Sequence, residues 1–176
     1  DLGDGPWLVG DRLQDYRQNQ DASDNAGSLE LEIAALVRVH EYRQSPAWHN
    51  VAQRLASKPR VFIAGFQTER GIAMCMSHLL QYLRDGVQLV DISAGHFGEV
   101  LLGRAEDSTL VVFEARRYSR HALMLCQKAR EAGIAVTLVT DTFCDWADAN
   151  ADEVFRIPTE FNLFWESTST MLSWVH

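Results

Sequence analysis

The sequence predicts an α/β fold, a three-layer αβα sandwich built on a five-stranded parallel sheet. Three observations lead there. Residues 108–141 read as strand, basic turn, helix and strand, a βαβ unit whose crossover makes its two strands parallel. From Arg60 onward, short apolar runs alternate with helical patterns, which covers a sheet on both faces. The 176 residues, 47% of them hydrophobic, suffice for one domain with a sizeable core.

The elements follow in order. Residues 1–27 are rich in Asp, Asn, Gln and Gly and read as a polar linker, with a short helical piece around Asp11 to Gln18. Ser28 is placed to cap a first helix, with Glu30 and Glu32 near its positive end and Leu29, Ile33, Leu36, Val37 and His40 along one face. Pro46 suits a helical first turn, so a second helix runs from about Ala47 to Ser57 with Trp48, Val51, Ala52 and Leu55 inward.

Arg60–Ala64 is the first strand, residues 65–70 its loop, and Gly71–Arg84 a helix burying Ile72, Ala73, Met76, Leu80 and Leu83. After the Asp85-Gly86 turn, Val87–Asp91 is the second strand and His96–Leu102 a short helix. The run Ser108–Glu114, with Leu110–Phe113 at its centre, is the third strand. The next helix buries Ala122, Leu125, Cys126, Ala129 and Ala132 and stops at Gly133. Ile134–Val139 is the fourth strand, Trp146–Ala149 a short helical piece, and Glu153–Ile157 the fifth strand, ended by Pro158. A last helix is expected from near Phe164, and the Thr170–Val175 run reads as a helix cut short, as in a piece of a longer protein.

The formal net charge of −8 argues against this chain gripping nucleic acid by itself, since phosphate binding rests on Lys and Arg. No apolar run reaches the length of a membrane span, and no signal peptide is visible. Three widely spaced cysteines suit a reducing cytoplasm. The histidines at 40, 49, 78, 96, 121 and 176 show no metal-ligand spacing, and no cofactor motif is present.

Ligands of open parallel sheets bind beyond the carboxyl ends of the strands. There the third strand delivers Arg116, Arg117 and Arg120, with Ser119 capping the helix below, a set suited to a phosphate or carboxylate. The alternative is that these arginines pair with Glu69, Glu114 or Asp141 and hold loops or a subunit contact. The loop from Gly65 to Gly71 offers Thr68 as a helix cap and Gln67 as a polar ligand contact, though it lacks a glycine-rich phosphate set. Ser93 and His96 stand at the end of the second strand. Cys144 has no recognisable base or oxyanion donor and reads as a packed thiol, as do Cys75 and Cys126. Phe161, Phe164 and Trp165 either cover the cleft, form a dimer surface or pack in the core.

Two lead-in helices, five α/β strands and a closing helix, with the Arg-Arg-Tyr-Ser-Arg turn at 116–120 and Val139-Thr140-Asp141, resemble the SIS (sugar isomerase) domain of RpiR/MurR-family bacterial transcription regulators. Ser-Leu-Glu-Leu-Glu at 28–32 and the Ala64–Gly71 loop fit one branch of that family. The resemblance covers residues 28–176 and implies a Rossmann-like or flavodoxin-like sheet topology. It further implies a domain that binds a sugar phosphate or related carbohydrate effector and forms a homodimer or tetramer. DNA would be held only by a separate N-terminal helix-turn-helix domain, with residues 1–27 as the remnant of the connection.

The chain departs from the family's phosphate-binding pattern. Gly65 is kept, but Gln67 and Glu69 stand at the second Gly and the Ser of the first loop. Glu114, Arg116, Arg117 and Ser119 stand at the first Ser, second Ser, Gly and Thr of the other. Most hydroxyls that would cradle a phosphate are lost, and Glu69 and Glu114 would repel one unless arginines neutralise them. A neutral or amine-bearing ligand, or none, stays open. SIS isomerases place a Glu near the closing helix, which makes Glu166 the one candidate base, without an evident partner. The leading expectation is a non-enzymatic sensing domain. An isomerase-type enzyme and a ligand-free dimerisation module are the alternatives.

Overall fold

The computed structural model describes residues 24–91, 96–161 and 166–176. The linker segment before Asp24 lies outside them, as do Ser93, Phe164, Trp165 and the side chain of His96. Five parallel strands form one sheet in the order β2-β1-β3-β4-β5: β1 Arg60–Gly65, β2 Val87–Val90, β3 Ser108–Glu114, β4 Ala135–Thr140 and β5 Glu153–Arg156. The helices are α1 Asp24–Tyr42, α2 Pro46–Ser57, α3 Arg70–Gln81, α4 Arg120–Glu131, α5 Ala147–Asn150 and α6 Ser169–Val175. The short helix expected near His96 is a 3-10 helix over His96–Leu101.

Successive strand residues point to opposite faces, and two cores result. On one face Phe62, Ala64, Leu110, Val112, Val136 and Leu138 pack against Ala122, Leu125, Cys126 and Ala129 of α4. On the other, Val61, Ile63, Val111, Phe113, Val139 and Phe155 meet residues from α1, α2, α3 and α6, among them Val39, Val51, Ile72, Ala73, Met76, Met171 and Trp174. The three-layer αβα architecture is therefore as predicted. The second face is closed by an aromatic cluster. The Phe155 ring lies 5.2 Å from Tyr42, 5.9 Å from Trp48 and 5.3 Å from Trp174. Aromatic contacts of this kind join the lead-in and closing helices to the far edge of the sheet.

Local signals explain most boundaries. The Ser45 Oγ accepts the Trp48 N–H (3.2 Å) one residue before Pro46. The Ser119 Oγ accepts the His121 N–H (3.2 Å) and caps α4. Gly133 takes φ 81° after α4, and its N–H bonds the Arg130 carbonyl (2.9 Å).

Several expectations are corrected. α1 starts before Ser28, whose hydroxyl donates to the Phe161 carbonyl and does not cap. Its predicted inward face is turned outward: Leu29, Ile33, Leu36, Val37 and His40 are exposed, and Ala35 and Val39 are buried. Small residues let α1 lie close over α6, where Ser169 Oγ also donates to Glu32 (2.6 Å). Ala52 is exposed, and Arg54 turns to the sheet instead, where its Nη1 reaches Glu153 (2.7 Å). α3 ends at Gln81, which leaves Leu83 exposed beyond it, and Ala132 is exposed at the end of α4. Residues 166–168 are not helical and the closing helix runs over Ser169–Val175, while the start expected near Phe164 lies outside the described residues.

Candidate functional site

In the order 2-1-3-4-5 the chain leaves β1 towards one side of the sheet and β3 towards the other. Loops that diverge in this way frame the crevice in which ligands of open parallel sheets bind, beyond the carboxyl ends of the strands. The two loops carry most of the candidate residues.

On the β1 side, Gly65 is required by a close approach. A Cβ there would stand 2.4 Å from the Glu69 carbonyl oxygen and 2.8 Å from Ala73 Cβ. Gly65→Ala is expected to lower unfolding stability by about 1–3 kcal/mol, because backbone cannot yield as a side chain can. Denaturant titration measures this, and a variant as stable as the wild type would contradict the packing. Gln67 follows with φ 52°, an uncommon conformation for a residue with a Cβ. Its side-chain amide donates to the Arg117 carbonyl (2.9 Å), and Arg117 itself has φ 77°. The two loops are thus joined across the crevice by two left-handed residues, an arrangement that stores strain at a candidate site. Thr68 does not cap α3. It lies in the 3-10 turn Gln67–Glu69, and its hydroxyl donates to Glu69 (2.7 Å).

Glu69 is 3% exposed and Glu114, the last residue of β3, is 0% exposed. Burial raises the Glu69 carboxyl above its ordinary range, against the pull of the Thr68 hydroxyl. Burial first, and then the charge of Glu69, push Glu114 up to about 8. Neither Glu114 oxygen has a hydrogen-bond partner in good geometry among the described residues, although the Ser119 backbone N–H lies close enough to pull its pKa down against the burial. Such an orphaned carboxyl at a strand end calls for an explanation.

The arginine turn is organised by Asp141, at the carboxyl end of β4. Fully buried, it accepts the Arg116 N–H (2.7 Å), the Phe143 N–H (2.9 Å) and the Tyr118 hydroxyl. Burial and that bond hold the Tyr118 phenol in its protonated state well above the usual range. The Arg116 guanidinium pairs with Glu160 and with Glu166 (3.4 Å) and lies 4.8 Å from the centre of the Phe143 ring. The carboxylates expected to meet the arginines were Glu69, Glu114 and Asp141. Asp141 instead takes the backbone of Arg116, and the guanidinium goes to two residues from the segment after β5. Arg117 and Arg120 are exposed, Arg120 as the first residue of α4. Gln67, Glu69, Glu114, Arg116, Arg117, Ser119 and Glu166 therefore gather around one sheet end, with Arg120 exposed beside them at the start of α4.

Asp141 as an organising residue and Glu160 as an arginine partner were missed in the sequence. An acid directly after an apolar strand is a usable signal for the first, since short acidic side chains bond neighbouring backbone amides. Cys144 and Cys126 are buried, and burial pushes both thiols up to about 12, far from thiolate at neutral pH. Among the described residues no group of three or more His, Cys, Asp or Glu could hold a metal ion, and no helix is long and apolar enough to cross a membrane.

Comparison with known proteins places this geometry. The family profile of the SIS domain matches residues 54–176. The sugar isomerase domain of an RpiR transcription factor from Sphaerobacter thermophilus superposes with a TM-score of 0.70 at 16% identity, over 86% of this chain and 84% of that one. The Vibrio vulnificus NanR protein complexed with ManNAc-6P gives 0.68 at 10% identity, over 93% of this chain and 61% of NanR. A Methanococcus jannaschii protein, for which the function of a 3-hexulose-6-phosphate isomerase has been inferred, gives 0.62 at 14% identity, over 84% of this chain and 81% of that one. At these identities the likeness is one of fold. Comparison with curated protein sequences finds no match.

Proposed function

Since the chain belongs to the SIS domain family, we propose that it is the effector-sensing and dimerisation domain of an RpiR-type transcription regulator. In this reading a carbohydrate metabolite, phosphorylated or not, binds in the crevice between the ends of β1 and β3. Gly65, Gln67, Thr68, Glu69, Glu114, Arg116, Arg117, Ser119 and Glu166 are its lining, and Arg120 stands at the rim. The observation that carries the reading is the buried, orphaned Glu114 facing Glu69 at the topological switch point. The regulators among the structural neighbours, one of them complexed with ManNAc-6P, support it.

The mechanism would be a population shift. A ligand bridging the two loops favours one subunit arrangement, and α1 and α2 pass it to a DNA-binding domain encoded upstream. The exposed Leu29, Ile33, Leu36 and Val37 of α1 offer an apolar surface for a second copy of the chain. An isomerase reading has one observation in its favour, a half-buried Glu166 at the crevice. Against it, that carboxylate is paired with Arg116, which stabilises its charge and does not relay a proton.

A thermal-shift panel of sugars, sugar phosphates and sugar acids tests the proposal, because binding to the native state raises the melting midpoint. One chemical class is expected to raise it, with the rise lost in Arg116→Ala and no aldose–ketose turnover of the same compound. Turnover would favour the isomerase, and a flat panel would favour a dimerisation module.

A further inference from the structure

We infer that the ligand of this crevice presents a protonated amine, seated between the carboxyl groups of Glu69 and Glu114. The inference rests on the reading of the crevice as the effector site and names the chemistry of what enters it. Four acidic side chains converge there. Glu69 and Glu114 repel one another, and both feel the charge of Asp141; Glu69 also feels Glu166. Among the described residues, the charged side chains that act most strongly on Glu69 and Glu114 are carboxylates. The nearby guanidinium of Arg116 is directed to Glu160 and Glu166.

An independent observation points to a donor-bearing ligand. Both Glu114 oxygens are buried and lack hydrogen-bond partners in good geometry among the described residues, with only the Ser119 backbone N–H nearby as a donor. Once ionised, Glu114 accepts only, so what satisfies that form must donate. A hydroxyl donates once and leaves the repulsion between the acids in place. A primary ammonium carries three donors and a positive charge, so it can bond both carboxyls and cancel their repulsion together. A phosphate in the same place would face buried acids on both loops, since Glu69 and Glu114 stand where hydroxyls would be needed.

The position of Glu114 also explains why burial is tolerated. Without a cation, burial and Glu69 push it up to about 8, so it is largely protonated near neutral pH. A cation beside it removes the second cause and offsets the first, and the proton leaves as the amine binds.

The test compares hexosamines and α-amino acids with N-acetylhexosamines, neutral hexoses and hexose 6-phosphates, by thermal shift and then titration calorimetry. An amine-bearing probe is expected to bind. Its N-acetylated counterpart, which has lost the charge, is expected to bind at least about tenfold more weakly, as is the amine itself to Glu114→Gln or Glu69→Gln. Calorimetry in buffers of different ionisation enthalpy should register proton release near neutral pH. Binding of hexose 6-phosphates or N-acetylhexosamines in place of amines would overturn the inference and leave the effector-domain reading standing. Silence across every class would overturn both. Amine binding unchanged in the two folded Gln variants would place the amine elsewhere and also overturn it.

Discussion

Glu114→Gln is expected to make the protein more stable in mildly alkaline solution and to flatten its stability against pH. In the unfolded chain this carboxyl titrates near 4.5, and in the fold it is pushed up to about 8 by burial and by Glu69. Between those values the native state holds a proton that the unfolded state releases. Stability is therefore complete below pH 4.5, falls as pH rises through the window, and levels off above about 8. The full span is on the order of 5 kcal/mol, from roughly 1.4 kcal/mol per pH unit. Gln fills the same space without a charge but leaves an amide to satisfy, which costs about 1–2 kcal/mol. The net gain at pH 9 is thus about 3–4 kcal/mol, and near pH 5 the two proteins should differ little. Urea titrations at pH 5, 7 and 9 measure it. Parallel pH profiles for the two proteins would show that Glu114 is not the buried acid described.

Asp141→Ala should have the opposite sign and a comparable size. Three donors lose their acceptor at once: the Arg116 and Phe143 N–H groups and the Tyr118 hydroxyl. Leaving buried donors unmet costs about 1–3 kcal/mol each, less what water recovers in an opened turn, so a loss of roughly 3–4 kcal/mol is expected. Tyr118→Phe removes one of the three and should cost only about 1 kcal/mol. The Ala variant should also bind ligand more weakly, because the turn that presents Arg116 and Arg117 is no longer held. A loss below about 0.5 kcal/mol would mean that Asp141 does not organise the loop.

The contrast between these two acids shows what the sequence could and could not convey. The βαβ unit at 108–141 was legible because its signals are local: a β-branched run, a Ser cap, a helical stripe and a Gly stop. The same holds for the Ser45–Pro46 helix start, where cap and first-turn residues are adjacent. The placement of the candidate residues at one sheet end followed from topology. What failed depended on distant partners. The apolar stripe on α1 is a sound amphipathic pattern, yet α6 packs against the smaller Ala35 side and Leu29, Ile33, Leu36 and Val37 face outward. Thr68 has the composition of a cap, but the close approach at Gly65 folds residues 67–69 into a 3-10 turn and sends its hydroxyl to Glu69. Glu160 and Glu166 lie more than forty residues from Arg116 in the chain, so no spacing rule would join them. Nor can spacing tell that Glu69 and Glu114 are buried beside one another, and this decides the electrostatic character of the crevice.

The central claim is that the ligand seats between the loops after β1 and β3. Amide hydrogen exchange, with and without the strongest compound from the panel, tests it most directly. Slowed exchange is predicted at residues 65–70 and 114–119 together, since a bridging ligand orders both sides of the crevice. Protection confined to other segments, with both loops exchanging as before, would contradict it.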